Sequence, residues 1–223
     1  MNAIRPTRPL PIAIATALSL TATLALAAAF PVQAAETTYK VDPDHTFPSF
    51  EADHLGGLSK WRGKFNRSSG SIVLDKATGI GSVDVRVDVA SVDFGHQQLN
   101  EAALGETLFE SAKYPEAVYR GRLADFEDGK PGRVEGEFTL HGVTRPLTLE
   151  IRSFKCMPHP MYKREVCGAD AVGTFQRDQY GMDAGKDYGF DMAVQLRIQV
   201  EAIAEPVAAA AANGGTPESG AAL

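Results

Sequence analysis

Between Val134 and Arg152, apolar and polar side chains alternate on both sides of a His141-Gly142 dipeptide. Val134, Gly136, Phe138 and Leu140 share one face, and Leu147, Leu149 and Ile151 resume it after the dipeptide. A period of two puts successive side chains on opposite sides of a strand, so each arm has one apolar and one wet face. Glycine reaches positive φ at little steric cost, which makes His141-Gly142 the expected hairpin turn. Pro146 has no N–H for a ladder and is expected at the start of the second strand or on an edge.

The same rhythm recurs along the chain. Val83, Val85, Val87 and Val89 alternate with Asp84, Arg86 and Asp88, and Val194, Leu196, Ile198 and Val200 alternate with Gln195, Arg197 and Gln199. Shorter extended pieces fall around Tyr39, Phe50, Trp61, Ile72, Val118 and Val172. Only His96 to Leu108 has a helical composition, with Leu99 and Ala103 on one side. No strand is apolar on both faces, so a parallel sheet covered by helices is not expected. One-faced strands with no second layer point to a sheet closed on itself, which also removes exposed edges. The expected fold is mainly β: an extended antiparallel β-barrel of about eight strands with one short helix. Such a barrel is wide enough for packed side chains or one slender ligand.

The two ends of the chain are set apart from this domain. Residues 1–34 read as a secretory signal peptide, with Arg5 and Arg8 ahead of an uncharged Ala/Leu-rich core and small residues at Val32-Gln33-Ala34. The rival reading is an uncut membrane anchor, which the mildly apolar core and the cleavage site disfavour; cleavage is expected to export the domain, residues 36–205, and to leave no segment for stable membrane insertion. Residues 206–223 are rich in Ala, Gly and Pro and bury too little surface to fold, so they read as a disordered tail. Losing Arg5 and Arg8 takes the net charge from −6 to −8, a poor balance for nucleic acid, whose phosphates need basic residues. Cys156 and Cys167 are the only cysteines. In an oxidising compartment an even pair is expected to form a disulfide, here at the base of a long loop holding Pro158 and Pro160.

Little in the chain suggests catalysis or a cofactor. The five histidines are scattered, and no two stand at a helical metal spacing. No serine lies in a nucleophile-elbow context, and the cysteine spacing is too long for a C-x-x-C redox pair. Asp42 and Asp44 beside His45 lie in a proline turn, where they are expected to fix the turn. Arg177 is expected to form a structural salt bridge with Asp178 or Asp183.

Several segments in order resemble the YceI-like family. These are Tyr39-Lys40-Val41-Asp42-Pro43 with His45 and Thr46, then His54-Leu55-Gly56, Gly63-Lys64-Phe65, Gly70-Ser71-Ile72 and Ser91-Val92-Asp93. Phe109 to Pro115 resembles the family's F-x-x-A-x-Y-P element. Leu140 to Pro146 resembles its hairpin, and Phe175-Gln176-Arg177 with Tyr180-Gly181-Met182 its late loop. The resemblance implies a periplasmic, lipocalin-like barrel that binds a polyisoprenoid or similar lipid. Ala102-Ala103-Leu104-Gly105-Glu106 is less basic than the matching family segment, which weakens the case for a pyrophosphate head.

The expected site is therefore the inward apolar face: Val83, Val85, Val87, Val89, Phe138, Leu140, Leu147, Leu149, Phe175, Leu196, Ile198 and Val200. Its expected partner is a polyisoprenoid or fatty-chain lipid, with a homodimer left open and no metal or cofactor called for. Two rivals remain at this stage. An enzyme would bring His45, His54 and Arg177 to one cavity, and a protein-interaction module would have a filled barrel and an exposed apolar patch.

Overall fold

The computed structural model describes residues 36–206. The expected signal peptide, residues 1–34, and all but the first residue of the expected tail, residues 206–223, lie outside the described residues. Those described form eleven strands and one helix. In chain order they are β1 (Thr37–Val41), β2 (Ser49–His54), β3 (Ser59–Phe65), β4 (Ser68–Asp75), β5 (Ile80–Asp88), β6 (Val92–Asp93), α1 (Gln97–Ala103), β7 (Glu116–Ala124), β8 (Arg133–Leu140), β9 (Val143–Pro158), β10 (Glu165–Gln176) and β11 (Ala193–Ala204).

Eight strands close an antiparallel barrel in the order β1-β4-β5-β7-β8-β9-β10-β11, with β11 returning to β1. β11 is the seam. One edge pairs with β10 from Val166↔Ile203 to Gln176↔Ala193. The other edge is shared: Ala202–Ala204 pair with β1, and Val194–Arg197 pair with β2. From β2 the wall continues outward through β3 to β6. β1 and β2 thus divide one edge of β11 between the two ends of the barrel.

The expected hairpin is present. Leu140 pairs with Val143, and His141 and Gly142 both have positive φ, 51° and 74°, as the two-residue turn of twisted strands requires. Pro146 pairs with Glu137 on one side. β10 reaches only to Glu150 on the other, so the missing N–H costs no ladder bond. The helix is shorter than its composition suggests. The His96 ring Nδ1 accepts the Leu99 N–H at the start, and the helix stops at Ala103, ahead of Gly105, a poor helix former.

The cysteine segment differs from its expected form. Cys156 and Cys167 are bonded and pair directly across the β9–β10 ladder. The loop is shorter than expected: β9 runs on to Pro158 and β10 begins at Glu165, so residues 159–164 make the turn and the disulfide sits inside the ladder below it. Pro158 is the last residue of β9, so it interrupts no later ladder bond. The core has two clusters. One gathers Tyr39, Leu74, Tyr119, Leu123, Leu149 and Ala202, towards the disulfide. The other gathers Phe50, Val89, Val92, Ala103, Phe109 and Leu140, beneath the helix.

Candidate functional site: an apolar tube inside the barrel

Members of both clusters line one cavity of about 480 Å³ inside the barrel. Of the twelve inward residues expected from the alternation, Val83, Val85, Val87, Phe138, Leu140, Leu147, Leu149, Phe175, Leu196, Ile198 and Val200 line it. Val89 does not. β5 ends at Asp88, whose carboxylate accepts the Ala90 N–H at 2.9 Å and turns the chain into a short 3-10 segment. Val89 is packed instead into the cluster beneath the helix, and its N–H donates to the Pro115 carbonyl.

The alternation left other lining residues unnoticed. On β2, Phe50, Ala52 and His54 face the cavity at every second position. On β10, Cys167, Ala169 and Ala171 do the same, ahead of the expected Phe175. Phe65, Phe94, Leu108 and Phe109 close the wall near the helix. Ala169 and Ala171 carry one methyl group each where a valine or leucine would reach into the barrel. An eight-strand barrel ordinarily has just enough width to be filled by its side chains. Small residues in one strand help to leave this one open.

The end nearest the disulfide is closed. Tyr39, Leu74 and Ala202 are buried there. Tyr39 donates from its hydroxyl to Glu165 Oε2 at 2.6 Å, and Lys76 Nζ donates to Glu165 Oε1 at 2.7 Å. Burial and the neighbouring carboxylate push the Tyr39 phenol far up. Burial alone would raise the Glu165 carboxyl, but the hydrogen bonds from Lys76 and Tyr39 hold it below its ordinary value.

The other end carries the cavity's only charged or ionisable lining side chains other than tyrosine: Asp53, His54 and Arg177. Arg177 is 7% exposed. Its guanidinium donates to the carbonyls of Met182 at 2.7 Å and Ala184 at 2.6 Å. This corrects the expected salt bridge: Asp178 is engaged by Lys186, and Arg177 is held by backbone carbonyls that the loop turns towards it. Burial pulls the guanidinium below its ordinary value. Asp53 accepts the backbone N–H of Asp191 at 3.0 Å and that of Gly57 at 2.7 Å, which hold its carboxyl below the usual range. The His54 ring stands edge-on to Trp61 and Phe190, with centroids 5.9 and 5.3 Å away. His45 is elsewhere, its ring Nδ1 2.8 Å from the Asp42 carboxylate and outside the cavity lining. Of the three residues an enzyme reading would bring together, two share the cavity, and Arg177 is already committed to structure.

A model of the YceI-like domain matches residues 39–202. The chain belongs to the YceI-like family. Among its relatives, a UPF0312 protein of Vibrio campbellii is 37% identical over 128 residues, which are 56% of this chain and 67% of that one. Protein YceI of Escherichia coli O157:H7 is 32% identical over 122 residues, 53% of this chain and 63% of its own. Two solved structures share the YceI-like fold. BcnA of Burkholderia cenocepacia superposes with a TM-score of 0.59 at 21% identity, over 72% of this chain and 98% of that one. A polyisoprenoid binding domain from Saccharophagus degradans, described as implicated in plant cell wall breakdown, superposes with a TM-score of 0.54 at 18% identity, over 75% and 98%.

Proposed function

We propose that this chain is a non-catalytic carrier that holds one long prenyl or acyl chain inside its barrel in the bacterial periplasm. The observation that carries the reading is the apolar cavity itself, walled by eleven of the twelve residues that the strand pattern turns inward. The polyisoprenoid binding of the Saccharophagus degradans domain agrees with it. The periplasmic placement is supported by the leader-like residues 1–34 and by a disulfide, which persists in an oxidising compartment.

Solvation alone can supply the affinity. Each methylene taken out of water contributes about 0.8 kcal/mol. Association costs roughly 4–15 kcal/mol in lost freedom. A chain of about ten methylenes gains about 8 kcal/mol, which only offsets a middling cost. Longer chains bind with a surplus, and no reactive group or charged contact is required.

A series of straight-chain alcohols of increasing length, titrated into delipidated protein, tests this. Affinity should rise about fourfold per added methylene until the cavity is full, and then level off. The stoichiometry should be one per chain. Affinity independent of chain length would overturn the reading.

A further inference from the structure

The end of the tube that holds His54 is framed by two loops that carry large exposed apolar side chains. Leu55 and Leu58 lie in the turn between β2 and β3, and Tyr188 lies in the short helical turn Lys186–Tyr188. Leu58 is 74% exposed and Tyr188 79%. The two loops are joined. The Asp191 N–H donates to Asp53, and Gly56 packs so closely on Gly189 that an added Cβ would stand 3.0 Å from its carbonyl oxygen. Trp61 belongs to both surfaces: it lines the cavity and is also 37% exposed. The greasy rim is therefore continuous with the greasy tube.

We propose that this rim is a docking surface for the face of a lipid bilayer, through which the tube opens to its source of chains. The inference rests on the lipid-carrying reading for its purpose but not for its test. A long chain cannot cross water to reach the barrel, because each exposed methylene is unfavourable there. A mouth seated in the outer few ångströms of a bilayer gives the chain an unbroken apolar path. The patch also suits a bilayer better than a protein. Three side chains on two loops, with Trp61 on β3 beside them, fall well short of the roughly 800 Å² per partner of a stable protein interface. Amphipathic Trp and Tyr with Leu are the residues that settle at the headgroup boundary.

Charge selects the kind of bilayer. Lys186 at the rim is engaged by Asp178, and Arg62 on β3 by Glu51. Asp183, Asp187 and Asp191 stand on the same loop. Lys60, exposed beside Trp61 and opposite Asp53 on β2, is a single cation without an ion pair. Among the described residues the rim thus has no basic cluster to hold anionic lipid, so docking should favour zwitterionic surfaces and persist in high salt.

Trp61 is the chain's sole tryptophan, so its emission reports on the place where rim and tube meet, and substitutions confined to the rim separate docking from filling of the tube. Delipidated protein is mixed with phosphatidylcholine vesicles whose acyl chains are either plain or brominated. The expected result is a blue shift with plain vesicles, quenching with brominated ones, and no weakening in high salt. The paired substitution L58D/Y188D should remove both signals. M161D, which changes an exposed side chain in the turn between β9 and β10 near the closed end, should keep them. Quenching that needs anionic lipid, survives L58D/Y188D or is lost in M161D would overturn the assignment. Uptake of lipid diluted from ethanol without any quenching by vesicles would also overturn it, and would give the rim to a protein partner. Quenching without uptake of any chain would overturn the carrier reading and leave the docking surface standing.

Discussion

Val85→Phe asks whether the tube is open at its middle. Val85 lines the cavity from β5. Its ladder partner on β4 is Gly70 and its partner on β7 is Tyr119, so one flank of Val85 has no side chain at all. Phenylalanine adds four carbons to this position. If they enter empty apolar space, their burial contributes at most about 3 kcal/mol at 0.8 kcal/mol per carbon. Ordering the ring removes part of that. The delipidated variant should then unfold in urea with a free energy unchanged or raised by about 1–2 kcal/mol, at an unchanged m-value. It should also lose much of its capacity for long-chain alcohols, because ring and chain compete for one volume. A solid interior predicts the opposite sign, since extra carbons forced into a packed core destabilise by about 1–3 kcal/mol. A stability loss of that size would refute the open tube.

Three further outcomes follow from the same geometry. Replacing Cys156 and Cys167 by serine should lower stability by about 3 kcal/mol on the chain-entropy account of a loop this short, read by urea unfolding of oxidised and variant protein. Arg177→Met should cost about 2–4 kcal/mol, because the Met182 and Ala184 carbonyls lose charged donors in a buried setting, and the loss should appear as a lower midpoint of thermal unfolding. Asp53 has a folded-state carboxyl below its unfolded value. Its contribution is therefore complete above the ordinary aspartate value of about 3.9 and is lost as pH falls through the lower folded value. Hydrogen exchange at Gly57 and Asp191 should accelerate in that acid window for the native chain, and be fast throughout for Asp53→Ala.

The parts of the molecule that could be read ahead were those where one local rule decides. Alternation placed β5, β8, β9 and β11, and the glycine of His141-Gly142 placed the hairpin between β8 and β9. Elsewhere a second influence acted. Val89 continues the valine pattern, but the Asp88 carboxylate captures the Ala90 N–H and ends the strand one residue sooner. Pro158 and Pro160 suggested a loop along the whole stretch between the cysteines; Pro160 does lie in the turn, but Pro158 ends β9, where a proline breaks no later ladder bond. β2 was legible in principle, since Phe50, Ala52 and His54 keep the period of two, but Phe47 and Pro48 just before it blurred the register. The carbonyls around Arg177 left no trace in the sequence, because they depend on how the loop before Gly185 turns. Above all, a periodic pattern says which side chains face inward and not how completely they fill the space. The cavity depends on small residues such as Ala169 and Ala171, whose effect exists only once eight strands have closed.

The most direct test is the mass of the intact protein, expressed from the full chain and purified without detergent. Native mass spectrometry should find the polypeptide with a single long-chain lipid that is released on denaturation, and the Val85→Phe variant should carry less of it. The bare polypeptide mass in every preparation, together with failure of the delipidated protein to take up any long chain, would contradict the account.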